Sequence, residues 1–168
     1  MPKLLVSRFT DDTIRQFRAA ARIRNEDARG LAAAGRLAAA VYLWGYVAEM
    51  TLKAGWFSLI GFAENQGITG ANLRTAVDLA ENQCQIQWPK QGRYHAIPYW
   101  AQLLSVHRMA IGNPYPNPQF GVDLEKHSWL IYDRWRETMR YKTNCPYRRE
   151  VDVVSDSVQW LLRNSRRL

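Results

Sequence analysis

AVYLWGYVAEMTLKA, residues 40–54, is the stretch on which the fold turns. Its apolar residues recur every three or four positions. With Leu37 added, the set Leu37, Val41, Trp44, Ala48 and Leu52 draws one stripe down a helix. No proline interrupts residues 25–60, so the spacing predicts one unusually long helix over that range. Asn25 is a fitting N-cap for it, with Glu26 and Asp27 in its first turn, while Gly30 and Gly35 mark where it would kink or break. Gly45 lies beside the stripe, where the absence of a side chain lets a partner helix come close. Glu49 and Lys53 stand in the middle of this apolar segment. They form either an ordinary i, i+4 ion pair on a solvated face or a polar site between helices.

Working outward, helical periodicity dominates and no run keeps a period of two. A preceding helix is expected over about 11–24, with Ile14, Phe17 and Ala21 on one face. Residues 62–92 read as an insertion holding one short helix, about 71–82. Pro98 is well placed to open a further core helix that continues through Leu103, Leu104, Val106 and Met109. NPYPNPQFG, residues 113–121, reads as a rigid connection because its three prolines exclude helix interior and central strand alike. The next helix is expected over about 123–142, with Leu124, Trp129 or Leu130, Tyr132, Trp135 and Met139 facing inward. The last, over about 150–164, carries Val151, Val154, Val158, Leu161 and Leu162. The expected fold is therefore all-α: one domain over 1–168, an antiparallel up-and-down bundle of four to five helices with the 62–92 insertion.

Composition narrows the class further. The chain carries 23 Lys and Arg against 15 Asp and Glu, a formal charge of +8. All of that excess lies at the two ends: 1–36 and 135–168 contribute +4 each, and 37–134 balances. If the first and last helices lie side by side they present one basic face, a footprint for phosphates, although solvated terminal helices carry such charge too. Cys84 and Cys145 are isolated from each other and from any histidine pair, which argues against a zinc site or a disulfide framework. MPKLLVSRFTDD, the first twelve residues, lacks the apolar run of a secretory leader, and no later run is long enough to span a bilayer. A cytoplasmic protein without membrane contact is expected.

The opening stretch resembles the second-helix signature of HEPN domains, a Gly-Tyr-x-x-Glu-x-x-x-Lys pattern that falls here on Gly45, Tyr46, Glu49 and Lys53. WRETMRYKT, residues 135–143, is similar to the family's Trp-x-x-x-x-Arg-Tyr element, on Trp135, Arg140 and Tyr141, and a last helix with an apolar VQWLL segment follows. The resemblance implies a bundle that often pairs as a homodimer and binds nucleotide or RNA. The family's catalytic members are metal-independent endoribonucleases of toxin–antitoxin and defence systems, so an antitoxin is a conceivable partner. Those nucleases use Arg-x-x-x-x-His. Here the residues five before His95, His107 and His127 are Lys90, Gln102 and Val122, and Arg140 is followed at that spacing by Cys145. Moving a proton off a 2′-hydroxyl at neutral pH calls for a group of pKa near 6–7, and an ordinary thiol near about 8.5 is a poor substitute.

The candidate binding residues are Arg136, Arg140, Tyr141, Lys142 and Arg148, cations interleaved with an aromatic that clamp phosphate and stack a base. Glu49 and Lys53 are supporting polar residues, and Arg140 is the expected partner of Glu49. Cations at a helix end also have a purely structural use, offsetting its dipole. His107 and Arg108 share a helix and are weighed as packing residues, while His95 and His127 are given less weight still. No phosphate-cradling glycine loop, triad order or metal-ligand spacing is present, so neither metal nor cofactor is expected. The first reading is a nucleotide or single-stranded RNA binder without catalysis. A structural or protein-interaction bundle is the second, and an atypical ribonuclease using Arg140 with Cys145 or a histidine brought near by folding is the third.

Overall fold

The structure, a computed structural model, describes residues 11–141 and 145–168. Among these the chain is a helical bundle with no strand. Six α-helices follow in order: α1 (Ile14–Ala33), α2 (Leu37–Leu59), α3 (Gly70–Asn82), α4 (Ile97–Ala110), α5 (Pro118–Tyr132) and α6 (Arg148–Asn164). Short 3₁₀ turns occupy Arg93–His95, Glu137–Tyr141 and Ser165–Arg167.

The long second helix expected from Asn25 is two helices. α1 starts after Thr13, whose hydroxyl accepts from Gln16 N at 3.1 Å, and runs on through Asn25 to Ala33. The break falls at Gly35, where φ is +74°, a conformation that side-chain-bearing residues rarely adopt. Three residues then reverse the chain into α2. Asn25 caps nothing. Its Oδ1 accepts from Trp44 Nε1 at 3.1 Å and from Gln159 Nε2 at 2.8 Å, tying α1 to α2 and α6.

α2 is the axis of the molecule and packs against α1, α4, α5 and α6. It is buried on nearly every side from Ala40 to Phe57, and the core residues of all six helices join in one cluster. Two later boundaries also differ from expectation. α5 begins at Pro118, inside the proline-rich segment, because Asn117 caps it and proline at the first turn gives up no needed N–H. It ends at Tyr132, ten residues early, so Trp135 and Arg140 lie on a turn. Ile131 and Ser128 face inward, while Trp129 is 43% exposed; on α4, Met109 is 64% exposed.

The insertion is strapped back onto α1 by Ile68 N donating to Asp12 O and Arg15 N to Glu64 O. α3 carries a Thr69–Asn72 capping box and buries Ala76, Val77 and Ala80. Ile86 and Trp88 of the following loop enter the core as well, so 62–92 is part of the packed body. No helix among the described residues is long and apolar enough to cross a membrane.

Candidate functional site

At 3.6 residues per turn, Tyr42, Tyr46, Glu49 and Lys53 stack along one side of α2. Both members of the Glu–Lys pair are buried, each about 5% exposed, so the solvated-face alternative is wrong. Lys53 Nζ donates to Glu49 Oε1 at 2.5 Å and lies 5.6 Å from the centre of the Trp100 ring. The partner expected for Glu49, Arg140, is not the one it has: Glu49 Oε2 faces His95 Nδ1 at 2.8 Å. Burial raises the pKa of Glu49, but the hydrogen bond from His95 and the charge of Lys53 outweigh it and hold the carboxyl below its ordinary value. An ionised carboxylate can only accept, so His95 Nδ1 carries the hydrogen and Nε2 is the ring's other face.

His95 is held in place by its own turn. Gly92 has a left-handed φ of +59°, and two buried indoles grip the turn's carbonyls: Trp88 Nε1 donates to Arg93 O at 2.6 Å and Trp100 Nε1 to Tyr94 O at 3.1 Å. The His95 side chain is 37% exposed against 6% for Glu49 and Lys53, so the buried charges meet solvent through the imidazole.

From His95 the site continues through aromatic rings. Tyr46 stands edge-on to His95 with ring centres 6.0 Å apart and edge-on to Trp135 at 5.4 Å. The Tyr46 and Tyr42 hydroxyls are 3.3 Å apart. Burial first, then the bond to Tyr42 and the charge of Glu49, push the Tyr46 phenol far above its usual range, so it stays protonated. Arg140 closes the row: the nearby Tyr42 hydroxyl first, then Tyr141, favour its charged form, and its guanidinium lies 4.7 Å from the Tyr141 ring centre.

The turn that carries Arg140 is anchored by Trp135. Its indole occupies the space over Gly45 and its Nε1 donates to Tyr42 O at 3.0 Å. The close approach at Gly45 is thus made by a side chain, not by a partner helix.

The other candidates go elsewhere. Arg136 folds over the Tyr132 ring at 3.7 Å and donates to Trp135 O at 2.7 Å; it shares a groove with Cys145 and Tyr147. Arg148, on the first turn of α6, pairs with Asp152 at 3.3 Å. Tyr141 is 73% exposed beside Arg140. Lys142 lies outside the described residues. His107 packs on Trp56 with ring centres 5.0 Å apart, and His127 stacks on Trp160 at 4.6 Å; burial lowers both, as packing histidines require.

Sequence reasoning gave His95 little weight and did not single out Tyr42 or the coupling role of Tyr46. One signal was present: Tyr42 and Tyr46 precede Glu49 by seven and three residues, the spacing of one helix face. Nothing local joins His95 to that face, 46 residues away. No protein-family model, curated protein or solved structure matches the chain.

Proposed function

We propose that the chain is a HEPN-like bundle that binds the phosphates of a nucleotide or single-stranded RNA on the face running from His95 past Tyr46 and Tyr42 to Arg140. The observation that carries this reading is the buried Glu49–Lys53 pair opening to solvent through His95. A scaffold gains little from such a pair: taking two charges out of water costs several kcal/mol each, and apolar residues would fill the space as stably. An exposed imidazole fixed at one nitrogen, in a row with an exposed guanidinium, is a use that explains the cost. Arg140 supplies a fixed cation for phosphate, and Tyr141 offers an exposed ring beside it for a base. Support for the family comes from the meeting of the two resemblance motifs: Trp135 seats on Gly45, and the charge of Arg140 is felt at Tyr46.

One observation favours catalysis as a second reading. The Glu49–His95 bond leaves Nε2 to take a proton from a 2′-hydroxyl, after which the oxygen attacks the adjacent phosphorus and the 5′-oxygen departs with a proton returned by the ring, giving a 2′,3′-cyclic phosphate. Arg140 would stabilise the charge on the phosphorane. This is the histidine brought near by folding that the Arg-x-x-x-x-His spacing fails to supply.

The test is a fluorescence-anisotropy titration of labelled single-stranded RNA at two salt concentrations, with the end-point samples run on a gel. Salt-sensitive binding that is weakened at least tenfold in Arg140→Ala supports the site; absence of binding at low salt discards it. Intact RNA on the gel keeps the protein a binder, whereas chelator-resistant products lost in His95→Gln establish the second reading.

A further inference from the structure

The side of α2 opposite to Glu49 carries Val47, Thr51 and Ala54. There α1, α2 and the end of the chain enclose a hollow of about 560 Å³, lined by Arg18, Arg22, Thr51, Ala54, Ser165 and Arg166. Small residues make the floor and three guanidiniums stand around it. The segments bearing them are far apart in sequence, so cations from both basic chain ends meet at this spot. We propose that the hollow is a second phosphate site, which takes the oligophosphate group of a small ligand; the proposal does not rest on the Arg140 face.

The chemistry of the walls selects the ligand. Arg18 is paired with Glu64, whereas Arg22 and Arg166 have no ion pair among the described residues. The hydroxyl hydrogens are already committed: Thr51 Oγ1 donates to Val47 O at 2.7 Å and Ser165 Oγ to Leu162 O at 2.8 Å. The donors left for a ligand are guanidinium N–H groups, and the occupant must therefore be anionic and rich in acceptors. Planar guanidiniums match phosphate oxygens two at a time and hold them better than an ammonium does. The volume is that of a small-molecule site and exceeds what one orthophosphate fills. A concave shape between packed helices also favours a compact chain of phosphates over an extended nucleic-acid backbone, which tracks grooves open at both ends.

Isothermal titration of the full chain with sodium tripolyphosphate tests this, with ATP and a single-stranded RNA 12-mer as separate arms. Tripolyphosphate and ATP are expected to bind wild type and Arg140→Ala alike, and to lose at least tenfold in affinity in the Arg22→Ala/Arg166→Ala double variant. Because both arginines are exposed, the variant should keep the wild-type circular dichroism and melting temperature. Three results overturn the proposal: no tripolyphosphate binding; binding lost in Arg140→Ala but kept in the double variant; or equal heat from sulfate at matched ionic strength, which marks general anion screening. RNA binding that depends on Arg22 and Arg166 would, in the first of these cases, mark a nucleic-acid surface instead.

Discussion

The indole of Trp135 takes the place of a side chain at Gly45: a Cβ built on that glycine would collide with the indole nitrogen. The contact cannot relax cheaply, since the same nitrogen donates to Tyr42 O and the ring is 1% exposed. Gly45→Ala is expected to cost at least the ~1–3 kcal/mol typical of overpacking, although alanine is the better helix former. Urea denaturation followed by tryptophan fluorescence measures it. Because Trp135 anchors the turn bearing Arg140, phosphate affinity should fall in parallel. A stabilised Gly45→Ala protein would show that the indole has another seat.

Removing one member of the buried pair strands the other. Glu49→Ala leaves Lys53 without its carboxylate and should destabilise by about 3–5 kcal/mol, and Lys53→Ala should do the same to Glu49. Replacing both, as Glu49→Leu with Lys53→Met, should recover most of that stability. His95 would then lack the partner that fixes Nδ1, so ligand affinity should stay low even in the refolded double variant. Full affinity in that variant would reduce the pair to scaffolding.

Acid should weaken the fold over two ranges of pH. Burial lowers the pKa of His107 and His127 below the usual 6.5, so the folded state binds fewer protons than the unfolded chain and stability declines as pH drops below about 6.5. Glu49 is held below its ordinary 4.5 by His95 and Lys53, in the neighbourhood of the Tyr46 phenol. Its contribution is complete above that value and is lost as pH falls through the lower folded pKa. The urea midpoint measured from pH 8 to 3 should bend at both points, with the lower bend reduced in Glu49→Gln and the upper one in His127→Asn. An upper bend left unchanged in His127→Asn would contradict the lowering of that histidine by its surroundings.

How legible this was depended on sequence distance. The helices announced themselves because an apolar period of 3.6 is a local property, and so did the α2 stripe from Val41 to Leu52. Asn25 misled because its residue type suits a cap, and the competing use is supplied by Trp44 and by Gln159, 134 residues away. α5 was drawn ten residues too long because its apolar pattern continues into Trp135 and Met139, which are inward-facing on a turn. Glu49 and Lys53 could be singled out as unusual, yet their burial depended on α4 and the His95 turn closing over them.

The two readings of Asn25 make opposite forecasts. Serine is about as good an N-cap as asparagine, so Asn25→Ser would be nearly silent at a helix start. As a bridge between Trp44 Nε1 and Gln159 Nε2, the longer amide is needed to reach both donors. Asn25→Ser is therefore expected to cost about as much as Asn25→Ala, ~1–3 kcal/mol for donors left unmet in a part-buried site. Thermal denaturation of the two variants side by side decides it.

The basic residues should not contribute equally to ligand binding, and that inequality separates a site from a diffuse positive surface. Arg136 is committed to the Tyr132 ring and the Trp135 carbonyl, and Arg148 to Asp152, whereas Arg140 projects beside exposed Tyr141 from the row that ends at His95. A cation that touches phosphate releases counterions, so removing it should reduce the slope of log affinity against log salt by about one. Arg140→Ala is expected to show that change and a tenfold or greater loss. Arg136→Ala and Arg148→Ala should move affinity less than threefold, and Tyr141→Ala should weaken RNA binding without altering the salt slope, because stacking releases no ions. Equal losses for all three arginines, each with the same change of slope, would mean that RNA samples the charge of the whole chain end and that the row from His95 to Arg140 has no special part in holding it.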